Sequence, residues 1–236
     1  VTATLIACSH GTSDARGRAA IAALVEQTRE LAPGIRVEAA FVDVETPAVD
    51  DVVDRCIADG PVVVVPLLLS TGFHTKVDIA RAVGRHPGRA VAVAALGPHD
   101  LLVDVLASRL GEAGVHDGVV LAAAGSSDPA AAVDVESVAA RLSARLGAAV
   151  HVGFAAGAGR RIPDAVAAAR DAGATRVAVA SYVLAPGFFA QVIARAGGDA
   201  VTAPLAPDPR LAAIVAERYR EGVALLAGEQ GPVERV

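Results

Sequence analysis

The chain has 236 residues, 53% of them hydrophobic and 20% charged, with a formal net charge of −5. So much apolar material excludes a disordered protein, and the acidic balance supplies no phosphate-neutralising field for a polynucleotide partner. With 3% aromatic residues and no Trp or Met, stacking platforms for bases and Met-rich grooves are excluded too.

In chain order, short β-branched runs predict strands over 4–8, 36–41, 62–68, 90–95, 118–123, 149–154, 176–183 and 200–203. Longer amphipathic stretches between them predict helices, among them 16–31, 47–59, 100–111, 134–146, 163–172 and 210–226. Pro33-Gly34, Gly147 and Gly173 stop the helices before them. Apolar continuity along the strands implies burial on both faces, as in parallel sheets crossed by helices. Cys8 and Cys56 lie inside apolar segments without CxxC spacing and read as buried thiols. No apolar run of membrane-spanning length and no basic leader occur, so the expectation is a cytoplasmic protein with no membrane and no nucleic-acid partner.

The chain repeats itself. Ser9-His10-Gly11-Thr12-Ser13-Asp14 is echoed by Ala123-Ala124-Gly125-Ser126-Ser127-Asp128, Phe41 by Phe154, and Gly72-Phe73-His74 by Gly187-Phe188-Phe189. Three landmarks in one order at nearly one spacing indicate a duplication. Two similar α/β domains follow, over 1–115 and 116–236, with the boundary where Gly114 to Asp117 interrupt the apolar pattern.

Working groups of open parallel sheets gather beyond the carboxyl ends of the strands. His10 follows the first strand, Asp43 and Glu45 the second, and His74 the third. Two imidazoles and one or two carboxylates on adjoining loops form a ligand set for divalent iron, cobalt, nickel or zinc, with coordination positions left open. The repeat is an internal control. The counterparts of His10, Asp43, Glu45 and His74 are Ala124, Ala156, Ala158 and Phe189, while Gly11, Asp14, Phe41 and Gly72 keep theirs. One half therefore carries the site and the other has lost it. Asp14, kept as Asp128, reads as a helix cap, and His86, His99, His116 and His151 read as structural or solvent-facing. Neither GxGxxG nor GxxxxGK[ST] spacing is present, and there is no GxSxG elbow.

The S-H-G-T-S-D turn, F-V-D-V-E-T-P from Phe41 to Pro47, and P-L-L-L-S-T-G-F-H-T-K-V-D-I from Pro66 to Ile79 resemble the sirohydrochlorin chelatases of the class II chelatase fold. The resemblance covers essentially the whole chain and implies ATP-independent insertion of a divalent metal, Fe2+ foremost, into sirohydrochlorin to give sirohaem. The alternatives are a cobaltochelatase serving corrin synthesis or a non-catalytic metal or tetrapyrrole carrier. It maps the family's metal-binding histidines onto His10 and His74 and its carboxylate, commonly Glu, onto Asp43. The shorter Asp side chain leaves Asp43 to act through water or to share the role with Glu45. One of the histidines takes a pyrrole proton, and Lys76 and Arg16, with Arg18 and Arg81 nearby, are the cations expected to meet the substrate's carboxylates. No cofactor beyond the substrate metal is implied, and the internal pseudo-dimer implies a working monomer.

Overall fold

The structure, a computed structural model, describes residues 2–70 and 73–229, the side chains of 73–76 and 229 excepted. Its elements are β1 Thr4–Ser9, α1 Ala15–Leu31, β2 Val37–Phe41, α2 Val49–Cys56, β3 Val62–Pro66, α3 Phe73–Gly84, β4 Ala90–Ala92 and α4 Asp100–Glu112. The second half repeats the order: β5 Gly118–Ala123, α5 Pro129–Leu146, β6 Val150–Phe154, α6 Ile162–Asp171, β7 Val177–Tyr182, α7 Phe188–Ala194, β8 Ala200–Val201 and α8 Pro209–Glu229. Each half forms one parallel four-stranded sheet, ordered β2-β1-β3-β4 and β6-β5-β7-β8. The two-sheet α/β architecture expected from the alternating pattern is therefore the observed one.

Burial on both faces accounts for the uninterrupted apolar strands. Along β1, Leu5 and Ala7 face a core layer shared by both halves, while Ile6 and Cys8 face a separate layer under α2 and α3. In the second sheet Val119 and Leu121 join the shared layer, and Val120 and Ala122 pack under α6 and α7. Both cysteines are free and buried, and burial pushes the Cys8 thiol up to about 12.

Several boundaries differ from the expected ones for local reasons. The helix expected over 134–146 starts at Pro129, because Asp128 caps it through Ala130 N–H at 2.9 Å and proline is tolerated in the first turn. The runs 90–95 and 200–203 form only the short edge strands β4 and β8. The helix expected over 47–59 contracts to α2.

The last helix of each half crosses over. α4, which follows the first sheet, packs on α5 and β7, whereas α8, which follows the second, packs on α1, β3 and β4. Tyr219 of α8 donates to the Ala3 carbonyl at 2.7 Å, and Arg218 donates to that of Ala95 at 3.1 Å. Gly222 lets α8 lie close on the first sheet, since a Cβ there would collide with Val63. Each sheet thus takes part of its cover from the other half of the chain. Asp117 fastens the junction by accepting from Thr175 N–H at 2.9 Å and Arg176 N–H at 2.7 Å. Those bonds hold its carboxyl at about 2.

Candidate active site

β1 lies between β2 and β3, so the connections leaving their carboxyl ends emerge side by side. The last register pair of β1 and β2 is Ser9 with Phe41. Beyond it, Asp43 N–H donates to the His10 carbonyl at 3.0 Å, which ties the two loops together. Gly11, at φ 94°, makes this possible: its φ suits glycine, and a Cβ there would collide with the Asp43 carbonyl oxygen. Thr12 N–H then donates to Glu45 Oε1 at 2.8 Å, bringing that carboxylate onto the His10 loop. Asp14 closes the turn as the α1 cap, accepting from Arg16 N–H at 2.9 Å. The Arg16 side chain forks the same carboxylate and holds it at about 2.

These loops open into a cleft of about 910 Å³ whose walls come from both halves. That volume is within the usual range for small-molecule sites. The first half contributes His10, Thr12, Ser13, Val44, Glu45 and Ser70, and the second contributes Ala124, Ala158, Leu184, Pro186, Phe188 and Phe189. Both walls mix polar and apolar groups, but the imidazole and the carboxylates come from the first half, and the exposed aromatic rings from the second. His10 is exposed and Glu45 half-buried in the cleft, so an imidazole and a carboxylate face a common space. Asp43 is absent from the lining, and its Oδ1 accepts from Val44 N–H at 2.8 Å. Between the two carboxylates left open by the sequence, the structure brings Glu45 to the cleft. His74 and Lys76 fall in the first turn of α3, and their side chains lie outside the described residues.

The second half keeps the frame without the imidazole and the carboxylate. Ala123 pairs with Phe154 as Ser9 pairs with Phe41, and Ala156 N–H donates to the Ala124 carbonyl at 2.9 Å as Asp43 does to His10. Gly125, at φ 87°, faces the Ala156 carbonyl as Gly11 faces that of Asp43. Asp128 N–H donates to Ser126 Oγ at 3.0 Å, matching the bond from Asp14 N–H to Thr12 Oγ1 at 3.2 Å. The strand register keeps the pairing of Ser9 with Ala123 that the repeat gave and adds that Ser9 is buried and lines the cleft, a further polar group without a polar counterpart.

The other expected residues have structural employment. His99 caps α4, accepting from Leu101 N–H at 3.1 Å; His86 bonds Asp54 at 2.7 Å; and His116 bonds the Gly114 carbonyl at 2.8 Å. Arg18 donates to the Thr12 and Ser13 carbonyls at 3.3 and 3.2 Å, bracing the His10 loop, and Arg81 pairs with Asp50 and Asp78. Among the described residues lining the cleft there is no Lys or Arg, so Arg16 stands outside the walls, occupied by Asp14. Tyr182 lines the cleft but donates to the Leu69 carbonyl at 3.4 Å, and burial pushes its phenol above the ordinary value near 10. It is a strut between the halves, not a proton acceptor. Among the described residues no helix is long and apolar enough to cross a membrane.

The CbiX family model matches residues 4–113 and again 118–222. The chain is 30% identical over 148 residues, 58% of its length, to the sirohydrochlorin ferrochelatase of Priestia megaterium. It is also 30% identical over 118 residues, 44% of its length, to the sirohydrochlorin cobaltochelatase of the same organism. These stretches cover 55% and 39% of the two relatives, so the chain spans about half the length of the relatives it matches, or less. Among solved structures, SirB from Bacillus subtilis with Fe3+ superposes with a TM-score of 0.82, covering 97% of this chain and 98% of that one at 23% identity, a likeness of fold.

Proposed function

The chain belongs to the CbiX family, carrying its pattern twice, and from that premise we propose that it inserts a divalent metal, ferrous iron by preference, into sirohydrochlorin without ATP. The observation that carries the reading is the meeting of His10 and Glu45 in one cleft, in the half whose duplicate has alanine at both positions. Iron is put first because the match to the ferrochelatase of Priestia megaterium is longer than the match to the cobaltochelatase of the same organism. Cobalt, which accepts the same ligands, is the other arm of the test.

The chemistry asks for a loose ligand set and a base. Insertion exchanges one divalent cation for two pyrrolic protons, so net charge is conserved only if both protons leave. Neutral imidazole binds the ion without the grip of thiolate and accepts a proton near neutral pH. His10, with His74 of the first turn of α3, presents the ion to the ring. As the ion passes to the ring, the imidazole that releases it takes one pyrrolic proton, and Glu45, anchored by Thr12 N–H, takes the other and passes it to solvent. With no cation in the described walls, the macrocycle's core enters the cleft and its carboxylates stay at the hydrated mouth, where Lys76 and a released Arg16 are the proposed partners.

The test is anaerobic turnover followed through sirohydrochlorin absorbance with Fe2+ and with Co2+. Many equivalents of product per chain are expected, with His10→Ala abolishing insertion and Glu45→Gln lowering the rate about a hundredfold, in the range of general acid–base groups. Asp43→Asn should cost less than about tenfold, since a carboxylate turned onto its own loop lies below that range. Saturation at one equivalent would instead identify a carrier, and a His10→Ala variant of unchanged rate would remove the site.

A further inference from the structure

Phe188 and Phe189 stand where the first half has Phe73 and His74, at the start of α7. They are 73% and 37% exposed in a chain with only five phenylalanines, and both line the cleft that His10 and Glu45 enter. Their rings meet edge to face, with centroids 5.3 Å apart and planes at 72°. The loop before them is fixed against the active half. A Cβ on Gly17 of α1 would collide with the Pro186 carbonyl, and Thr12 Oγ1 stands 3.5 Å from where a Cβ on Gly187 would lie. The aromatic pair is thereby held at a set place relative to the His10 loop.

Exposed aromatic surface inside a ligand-sized cleft calls for a flat apolar occupant. We infer that the half which lost its metal ligands was converted into the platform for the macrocycle, Phe188 and Phe189 packing on one ring face while the other is presented to His10. This deepens the chelatase reading and rests on it. Phe188 and Phe189 are positioning residues: they hold the ring and leave the nitrogens to the opposite wall. Packing of this kind is the same before and during insertion, so its loss raises KM and leaves kcat alone.

The experiment measures the Kd of metal-free sirohydrochlorin by absorbance and fluorescence, alongside kcat and the KM for each substrate. Both rings are exposed, so the variants fold. Phe188→Ala and Phe189→Ala should each weaken ring binding about tenfold, as loss of an aromatic contact with its buried area implies. The double variant should lose more, with kcat and the metal KM within about twofold of wild type. Phe188→Tyr and Phe189→Tyr should restore affinity, and His10→Ala should bind the ring while failing to metallate it. A double alanine variant that binds sirohydrochlorin as tightly as wild type overturns the platform while leaving the chelatase reading standing. A wild-type protein that binds none overturns the reading of function and the platform with it.

Discussion

Gly11 and Gly125 offer a paired experiment that the duplication makes unusually clean. Alanine at either position has to hold φ near 94° or 87° and place a methyl group against a facing carbonyl, of Asp43 or of Ala156. The left-handed conformation costs about 1–3 kcal/mol for a non-glycine residue. Relieving the overlap by moving the facing loop costs about 1–3 kcal/mol more. Each variant should therefore lose about 2–6 kcal/mol, or roughly 4–24 °C in Tm for a chain of this size. The stabilities should fall together because the two clashes are alike. Activities should not. In Gly11→Ala the displaced loop carries Glu45 away from Thr12 N–H, breaking the 2.8 Å bond, and insertion should fall at least a hundredfold in protein still folded at the assay temperature. In Gly125→Ala the displaced loop carries Ala156 and Ala158, neither of which has a proton or a ligand to contribute. Its kcat should stay within a few fold of wild type, with any loss confined to KM. Urea unfolding gives the stabilities and sirohydrochlorin absorbance the rates. Equal loss of kcat in the two variants would refute the division into one working and one retired half.

Two further expectations concern the frame. His99→Ala removes the acceptor for Leu101 N–H at the start of α4 and the contact with Glu217 of α8 at 3.4 Å, so it should cost about 1 kcal/mol with metal insertion unchanged. A His99→Ala protein as inactive as His10→Ala would show that the site is misplaced. Asp117 carries a carboxyl lowered from its ordinary value to about 2 by its bonds to Arg176 and Thr175. A depressed carboxyl contributes stability above its unfolded value near 4 that is lost as pH falls toward 2. Asp117→Asn should accordingly melt below wild type at pH 5–7, with the gap closing as pH approaches 2, and a gap independent of pH would exclude the linkage.

Much of the arrangement was legible in the sequence because parallel strands buried on both faces leave a continuous apolar signature, and because duplication lets one half annotate the other. Strand ends and the losses in the repeat picked out His10, Asp43, Glu45 and His74, of which the structure lines the cleft with His10 and Glu45, and the retention of Asp14 as Asp128 marked it as a cap. What sequence spacing could not resolve was the direction of side chains within one tight turn. Asp43 and Glu45 are two residues apart, and only the hydrogen bonds of the loop send one carboxylate to Val44 N–H and the other to Thr12 N–H. The cations were assigned by proximity along the chain, but Arg16 and Arg18 are drawn off by the carboxylate and carbonyls of their own turn. Helix starts before proline were read late for a similar reason: the cap at Asp128, not the apolar period, decides where α5 begins.

The exchange of α4 and α8 explains why a half without ligands persists. A lone first half would leave the face of β3 and β4 bare where α8 lies, with Leu211, Ile214, Val215 and Tyr219 removed from the shared core. It would also expose on α4 the side chains of Leu102, Leu106 and Leu110, all at most 1% accessible in the full chain. Burying a leucine contributes about 1.5–3 kcal/mol, so a handful of such losses equals the whole stability of an ordinary domain. The second repeat is thus bound to the first by packing before any question of function arises. With Ala124, Ala158 and Phe189 at the positions matching His10, Glu45 and His74, its loops still form the far wall of the cleft. Under the proposed function, a wall kept for packing is thereby available to receive the macrocycle.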